Sequence, residues 1–565
     1  MTQVRPAKPI GPYERLEAVV HEWDPKSAEV AAIVNDLVRE QRPDLVVEHI
    51  GSTAVPGLPG KGIVDLSIET TPDQIPRIVA MLYDLGFGPQ PGPDPWPATR
   101  PMPVGSMELD GNHHRIHFHV QPVGGDFPRD LAFRDALRND DDLRRQYEML
   151  KRGITDHGPV EGLKYTHSKT AWILQVYRKI GFAPPSIAPP STIGILGGGQ
   201  LGRMLALAGR GLGYRIVVLD PDPHAPAAGI ADRVEIGTYD DVGAALRMAQ
   251  ECSVITYELE HVGQAVVGAL DDRKRPIRPG PYPLKLTADR LAERRFVEAN
   301  EGRVAEWREV SSPAEVLRAA AELGYPLRLK AARGGYDGRS QVRIDGTAGI
   351  EGLDGRLGWP ALLERELDFE CELSVVVVRN VDGISRTFPV ARNRHDRGIL
   401  AETVVPAGIP AEVERAAEEL GRTLATSMGL CGTLTVELFL MRDGSLVVNE
   451  LAPRVHNSGH WSIEGAVTSQ FEQHLRAICG LPLGSVEMRA PAVAMVNLLG
   501  EGAPRAAHPT GIYEALEVTD GHLHLYDKEQ VFERRKMGHV TALGATVEEA
   551  LGRAREAAAH LGWRA

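Results

Sequence analysis

Between Thr433 and Ala452 apolar residues dominate two short runs, TLTVELFLM and SLVVNELA, separated by Arg442-Asp443-Gly444. The pattern predicts two strands joined at Asp443-Gly444, a strong short hairpin signal. A two-residue loop at 443–444 pairs 442 with 445 and sets Glu437 opposite Glu450. A three-residue loop would pair Glu437 with Asn449 instead. Directly opposed residues share a sheet face, with Cβ atoms about 4.5–5.5 Å apart, and like charges there destabilise the sheet. Two carboxylates held that way ask for a cation between them. Oxygen ligands with Asn449 beside them suit Mg²⁺. The plainer alternative is one exposed Glu on each strand in a slipped register.

Other segments are patterned as clearly. SSPAEVLRAAAELG, 311–324, predicts a helix with Ser312 as N-cap, Pro313 as first helical residue, Glu315 as capping-box partner and Gly324 as stop. PLRLKAARGGYDGRSQVRI follows and reads as strand, glycine-rich turn, strand. Lys330 ends the first strand, and backbone donors of the turn with Lys330, Arg333 and Arg339 can cradle a polyphosphate. A plain glycine hairpin with solvated basic residues is the competing reading. LSVVVV, 373–378, predicts a buried strand, and Glu364, Glu366 and Glu372 surround its entry.

TIGILGGGQLGRM opens a strand-turn-helix unit in which Gly197, Gly199 and Gly202 satisfy G-x-G-x-x-G. A second strand, Tyr214 to Leu219, ends at Asp220, where a ribose-binding acid of a dinucleotide unit would stand. An NAD-dependent oxidoreductase is therefore a competing reading. The physical content of the motif is narrower: it lets an anion approach free N–H groups at a helix N-terminus.

Length and composition bound these readings. The 565 residues suggest three or four domains. The 43% hydrophobic and 25% charged fractions are those of a soluble globular protein. A net charge of −13 argues against a general nucleic-acid binder. Cys252, Cys371, Cys431 and Cys479 are far apart, form no zinc-ligand spacing and read as reduced thiols. There is neither a signal-peptide core nor an apolar run of membrane-spanning length, so a cytoplasmic protein without a membrane partner is expected. GFAPPSIAPPST, 181–192, reads as an interdomain linker.

Six motifs in order, GILGGGQLGRM, TYELEHV, ADRLAERRF, GGYDGRSQ, NELAPRVHNSGHW and RRKMGHVT, carry a resemblance over residues 193 to about 560. This part is similar to the 5-(carboxyamino)imidazole ribonucleotide synthases, ATP-grasp ligases of purine biosynthesis. The resemblance implies a Rossmann-like pre-ATP-grasp domain at 193–286, a two-lobed ATP-grasp domain at 287–484 and a small C-terminal β-rich domain at 485–565. It implies the Mg²⁺- and ATP-dependent joining of bicarbonate to the exocyclic amine of 5-aminoimidazole ribonucleotide, through carboxyphosphate, in a homodimer. ATP-grasp ligases with other acceptors are the nearer alternative. HNSGHW and the C-terminal basic cluster favour the imidazole ribonucleotide.

The site roles it implies are as follows. Lys330 and Arg290 meet the ATP phosphates. Gly335, Tyr336, Asp337, Gly338, Arg339, Ser340 and Gln341 form a loop that closes over the nucleotide, with Arg339 also catalytic. Glu364, Arg365, Glu366 and Leu367 hold adenine at the hinge, Glu372 holds ribose, and His395 matches another nucleotide-site position. Glu437 and Glu450 bind Mg²⁺ with Asn449 beside them. Arg454, His456 and Asn457 face the imidazole ribonucleotide, and His456 is the first candidate for a general base. Lys528, Arg535 and Lys536 meet its phosphate, and Gly199, Gln200, Leu201 and Glu260 complete that site. Three departures stand out. Ser340 replaces a frequent Gly, Arg294 or Arg295 a frequent Lys, and KEQVFERRKMGH lacks the usual arginine-proline-glycine ahead of its basic pair.

Residues 1–180 resemble the GrpB-type family, with a fold like that of nucleotidyltransferases. VVEHIGSTAVPGLPGKGIVDLSIE, WDP, RIHFHV, FRDALR, YEMLK and YTHSK carry the match. Active nucleotidyltransferases place two acids one residue apart after a Gly-Ser turn. Here Asp65 is present and Ser67 takes the second position, a poor two-metal site. His117 and His119 share a strand face. They could add metal ligands, but paired strand histidines with no Cys or Asp partner are more often packing or hydrogen-bonding residues.

Overall fold

The computed structural model describes residues 8–91, 100–156, 158–160, 162–182, 186–272, 276–334, 341–351, 353 and 358–564. The chain separates into two compact units, Met1–Pro184 and Pro185–Ala565.

The first unit is built on a four-stranded sheet in the order Glu48–Ile50, Ile63–Thr70, Asn112–Pro122, Val104–Leu109. The two central strands run parallel and the outer pairings are antiparallel. Helices Lys26–Gln41 and Ile75–Leu85 bring Val30, Val34, Val38, Ile78 and Leu82 onto Val64, Leu66, Ile68, Ile116 and Phe118. Helices Phe127–Asn139, Asp141–Thr155 and Gly162–Lys179 share a separate cluster of Leu137, Leu143, Tyr147 and Val176 with Val55 and Leu58.

The second unit opens with a parallel sheet in the order Arg233–Ile236, Arg215–Asp220, Thr192–Leu196, Val254–Tyr257. Apolar residues cover both of its faces, as a buried parallel sheet requires. A small antiparallel sheet follows, in the order Gln341–Ile344, Leu327–Ala331, Ala361–Arg365, Trp307–Val310. Helix Pro313–Leu323 packs on it, and Ser312 caps that helix by accepting from the Glu315 N–H at 3.3 Å. Glu315 reaches back one residue further than a simple capping box, accepting from the Ser311 N–H at 2.8 Å.

The largest sheet has nine strands. Its path runs Leu446–Ala452, Gly432–Met441, Phe369–Arg379, Ala391–Asp396, Ile399–Val405, Ala492–Leu499, Lys536–Gly544, Gly521–Leu525, and Ser385–Thr387 pairs with Phe369–Arg379 off this path. The sheet crosses residue 485 without a break, because Ile399–Val405 pairs with Ala492–Leu499. Glu402 reinforces that junction, accepting from Arg394 on the neighbouring strand and bidentately from Arg555 on helix Val547–His560.

The hairpin ending at Ala452 corrects one expectation. Its loop is not the two-residue loop: the Met441 N–H donates to the Ser445 carbonyl at 2.9 Å, and Leu440 pairs with Leu446. Gly444, at φ +81°, takes the left-handed conformation of a three-residue loop. That loop by itself would bring Asn449 opposite Glu437. A bulge between Leu438/Val448 and Glu437/Glu450 absorbs the extra residue, so the two glutamates are partners after all.

Candidate active site

Helix Arg290–Ala299 begins at Asp289, whose carboxylate accepts from the N–H groups of Leu291 and Ala292 at 3.0 and 3.3 Å. The cap sets the helix so that positions 290, 293 and 294 share one face. Arg290 reaches Glu450 at 3.4 Å. Glu293 is buried and accepts from the Leu451 N–H at 3.1 Å, tying the helix to the strand that carries Glu450. Arg294 is buried between Glu293, at 3.2 Å, and Glu364, at 3.0 Å. Lys330 closes on the other oxygen of Glu364 at 2.5 Å. Burial works against the Glu364 charge, but Lys330 and Arg294 outweigh it and hold the carboxyl down at about 2.

The opposed carboxylates respond differently to this setting. Burial pushes Glu437 up, and the Glu450 charge adds to the rise. Burial also opposes ionisation of Glu450, but Arg290, Lys330 and Arg454 together hold it below its ordinary value. Two like charges this close do not both ionise cheaply, so one carboxyl rises while its cation-flanked neighbour falls. Asn449, the bulged residue, donates from Nδ2 to Glu437 at 3.3 Å. Glu437 is 19% exposed and Glu450 is 44% exposed, so the pair is accessible from one side. An all-oxygen donor set with this charge conflict fits a Mg²⁺ ion, whose charge would let both groups ionise.

On the other side of Glu437 stand the residues after the hairpin. His456 places Nε2 at 3.4 Å from Glu437. Its Nδ1 accepts from the Ser458 N–H at 3.3 Å, which puts the ring proton on Nε2. Burial, reinforced by Arg454, Lys536 and His395, drives His456 well below its ordinary value, so the ring is neutral near pH 7. Arg454 pairs with Glu260 at 2.7 Å. Asn457 is buried, and both polar atoms of its amide lack a hydrogen-bond partner among the described residues. His395 is hydrogen-bonded to Glu372; burial alone would lower it, but Glu372 and Glu437 carry it above its ordinary value.

Lys528 donates to the Gln200 side chain at 2.9 Å and to the Lys536 carbonyl at 2.6 Å. The Gln200 turn, Lys528 and Lys536 are therefore together. Arg535 is turned to the Gln530 carbonyl at 2.7 Å and stacks over Phe532. Leu201 lies in the apolar core beside Met204 and Val455. At the hinge, Arg365 binds the Leu323 carbonyl, and Glu366 pairs with Arg328 and Arg343. Leu367 lines an open pocket with Val304, Met441 and Val447. Gln341 pairs with Lys330 across the small sheet. Gly335, Tyr336, Asp337, Gly338, Arg339 and Ser340 lie outside the described residues.

The glycine turn answers its own question. Glu258 carries one oxygen to the N–H of Gly199 and the other to that of Gly202, while Asp220 accepts from Gly198 at 2.7 Å. The anion at this helix N-terminus is the protein's own carboxylate, in the place a dinucleotide pyrophosphate would need. Sequence reasoning passed over Glu258 and Glu293. The only hint of Glu258 was its position two residues before Glu260 in TYELEHV.

Known families divide the chain in the same terms. Residues 191–288 match the ribonucleotide synthetase preATP-grasp domain, 295–471 the ATP-grasp domain, and 493–553 the phosphoribosylaminoimidazole carboxylase C-terminal domain. An N5-carboxyaminoimidazole ribonucleotide synthase of Brucella melitensis is 40% identical over 361 residues, which are 63% of this chain and 98% of that protein. The chain belongs to the N5-carboxyaminoimidazole ribonucleotide synthase family.

Two solved synthases extend the likeness to structure. The crystal structure of the ADP complex of an N5-carboxyaminoimidazole ribonucleotide synthetase is 40% identical, with a TM-score of 0.61 over 66% of this chain and 97% of that one. The Aspergillus clavatus synthase, solved with ADP and 5-aminoimidazole ribonucleotide, is 30% identical, with a TM-score of 0.60 over 66% of this chain and 98% of that one. Residues 15–179 match the GrpB protein family, so a GrpB domain precedes the synthase part. Of the two arginines set against one expected lysine, Arg294 is the buried bridge just described, and Arg295 is exposed and pairs with Glu309.

In the first unit one expectation is overturned. His117 and His119 do have an acidic partner: Asp65 lies at 3.4 Å from one and 3.5 Å from the other. The parallel pairing of Ile63–Thr70 with Asn112–Pro122 brings them together.

Proposed function

We propose that residues 191–565 carboxylate 5-aminoimidazole ribonucleotide with bicarbonate at the expense of ATP, giving 5-(carboxyamino)imidazole ribonucleotide for purine synthesis. The observation that carries this reading is the Glu437/Glu450 pair, set between Arg290 and Lys330 on one side and His456 on the other. Family membership supports it.

Bicarbonate attacks the γ-phosphate of ATP and displaces ADP; the carboxyphosphate then releases phosphate as its carbon bonds to the exocyclic amine, whose proton leaves with that phosphate. Phosphoryl transfer of this kind is mostly positioning and charge neutralisation. Lys330 and Arg290 supply positive charge on fixed elements, each held by a carboxylate that fixes its direction. Glu437 and Glu450 would hold a Mg²⁺ ion, which supplies a Lewis-acid contact to phosphate oxygens when bound. Glu364, Arg365, Glu366 and Leu367 border the adenine, and Glu372 and His395 the ribose.

Asn457 offers the ribonucleotide a donor and an acceptor, with Arg454 and Glu260 beside it. Lys528 and Lys536, with Gln200, take its phosphate; Arg535 needs only a side-chain rotation to join them. His456, neutral and with its proton on Nε2, orients Glu437. The protein works in the cytoplasm as a homodimer, as the family resemblance implies. No helix among the described residues is long and apolar enough to cross a membrane.

The deciding measurement is ADP release from ATP, Mg²⁺ and bicarbonate, with and without 5-aminoimidazole ribonucleotide. ADP that depends on the ribonucleotide supports the reading. ATP binding with no such dependence would leave an ATP-grasp ligase for another acceptor.

A further inference from the structure

Asp65, His117 and His119 lie in the GrpB-matching residues, outside those that match the synthase domains, and form a compact set of donors. Pairing of the two central strands sets Asp65 against His117 and Ser67 against His119. Side chains two apart on a strand share a face, so both imidazoles and the Asp65 carboxylate turn to the same side. Asp65 Oδ1 is 3.4 Å from His117 Nδ1 and 3.5 Å from His119 Nε2. One donor atom from each of the three residues falls within 4.8 Å of the others. Metal–ligand bonds of about 2.0–2.2 Å give tetrahedral donor–donor edges of roughly 3.3–3.6 Å. Among the described residues this is the one cluster of at least three His, Cys, Asp or Glu donors so spaced.

Two neighbours strengthen the case. The other nitrogen of His117, Nε2, is 3.0 Å from the Tyr13 hydroxyl, an outer contact of the kind that fixes the ring of a ligating histidine. Gly51, at φ +73°, leaves no Cβ where Asp65 Oδ2 stands, so the Gly-Ser turn lies against the other oxygen of this carboxylate.

We propose that Asp65, His117 and His119 bind one divalent first-row transition-metal ion, with at least one coordination position left open. Two imidazoles and one carboxylate suit zinc, cobalt, iron(II) or manganese better than Mg²⁺. The site stands in for the second carboxylate that Ser67 removes: the ligands come from the neighbouring strand instead of the same one.

The test uses the untagged full-length chain, stripped with a chelator and titrated with Co²⁺ in excess Mg²⁺, which keeps the Glu437/Glu450 pair filled. One equivalent of Co²⁺ with intense visible bands is expected, since low-coordinate nitrogen-oxygen sites absorb far more strongly than aqueous Co²⁺. His117→Gln with His119→Gln should lose those bands, and Tyr13→Phe should weaken binding by about 10-fold. Asp65→Cys adds a readout that does not rest on lost signal: a thiolate ligand brings a new near-ultraviolet charge-transfer band. A wild-type spectrum like that of the aqueous ion, a double variant with unchanged bands, or a folded Asp65→Cys chain without the new band would each overturn the proposal.

Discussion

Arg294 and Glu364 meet at 3.0 Å in a part of the fold that water hardly reaches, and the same arginine also touches Glu293. A guanidinium can fork between two carboxylates, and an ammonium cannot do so with the same geometry. Arg294→Lys should therefore leave one buried carboxylate poorly paired. The expected cost is roughly 3 kcal/mol, read as a lower urea midpoint with an unchanged slope. A midpoint equal to wild type would show that the bridge adds nothing to stability.

Glu258 is the second stability probe. It satisfies two backbone donors at a helix start, and Glu258→Gln would turn an amide N–H toward one of them. A loss of about 1.5–3 kcal/mol is expected from denaturation curves. Because the carboxylate fills the turn, titration with NADH should leave nicotinamide fluorescence unchanged. An enhanced and saturable signal would reopen the dinucleotide reading.

Glu450→Gln addresses the chemistry. It keeps the side-chain shape and removes the charge that Arg290 and Lys330 sustain. Turnover should fall by about 100- to 1000-fold, with an unchanged circular dichroism spectrum. Full activity in this variant would remove the metal assignment.

Asn457→Ala separates binding from folding. Its amide is buried with no partner among the described residues, so removing it should not weaken the free protein. The KM for 5-aminoimidazole ribonucleotide should rise about 10- to 100-fold, equivalent to 1–3 kcal/mol of lost hydrogen bonding. A loss of thermal stability at unchanged KM would assign the residue to the fold alone.

Glu402 sets a pH dependence. Hydrogen bonds from Arg394 and Arg555 lower its carboxyl from 4.5 to about 2. A group with a depressed folded pKa contributes stability above its unfolded value and loses it as pH falls through the folded one. The gap between wild type and Glu402→Gln should thus be full near neutrality and shrink between about pH 4.5 and 2. Both arginines reach into solvent, so screening leaves about 1 kcal/mol of the effect. A gap that stayed constant through this window would mean that the pairing contributes nothing through charge.

Local signals in the sequence proved readable. The capping box at Ser312 and Glu315, the strand-turn-helix at 192–211 and the hairpin around Gly444 all depend on neighbours a few residues apart. Glu437 and Glu450 were matched through an assumed two-residue loop. The chain reaches the same pairing by a longer loop and a compensating bulge at Asn449, and no local pattern dictates that bulge. Contacts that depend on topology stayed hidden. Glu258 reaches a turn 59 residues back, Glu364 joins an arginine 70 residues away, and Asp65 finds its histidines across a parallel crossover.

The nine-stranded sheet bears on how this enzyme can be divided. Glu437 and Glu450 lie near one end of the strand path, and Lys536 begins a strand near the other. Stopping the chain at residue 484 would strip Ile399–Val405 of one of its two partners and bare a row of amides and carbonyls that invites another chain to dock. The strands that carry the two glutamates and Lys536 are woven into one fabric. No seam exists there at which a different acceptor module could be grafted.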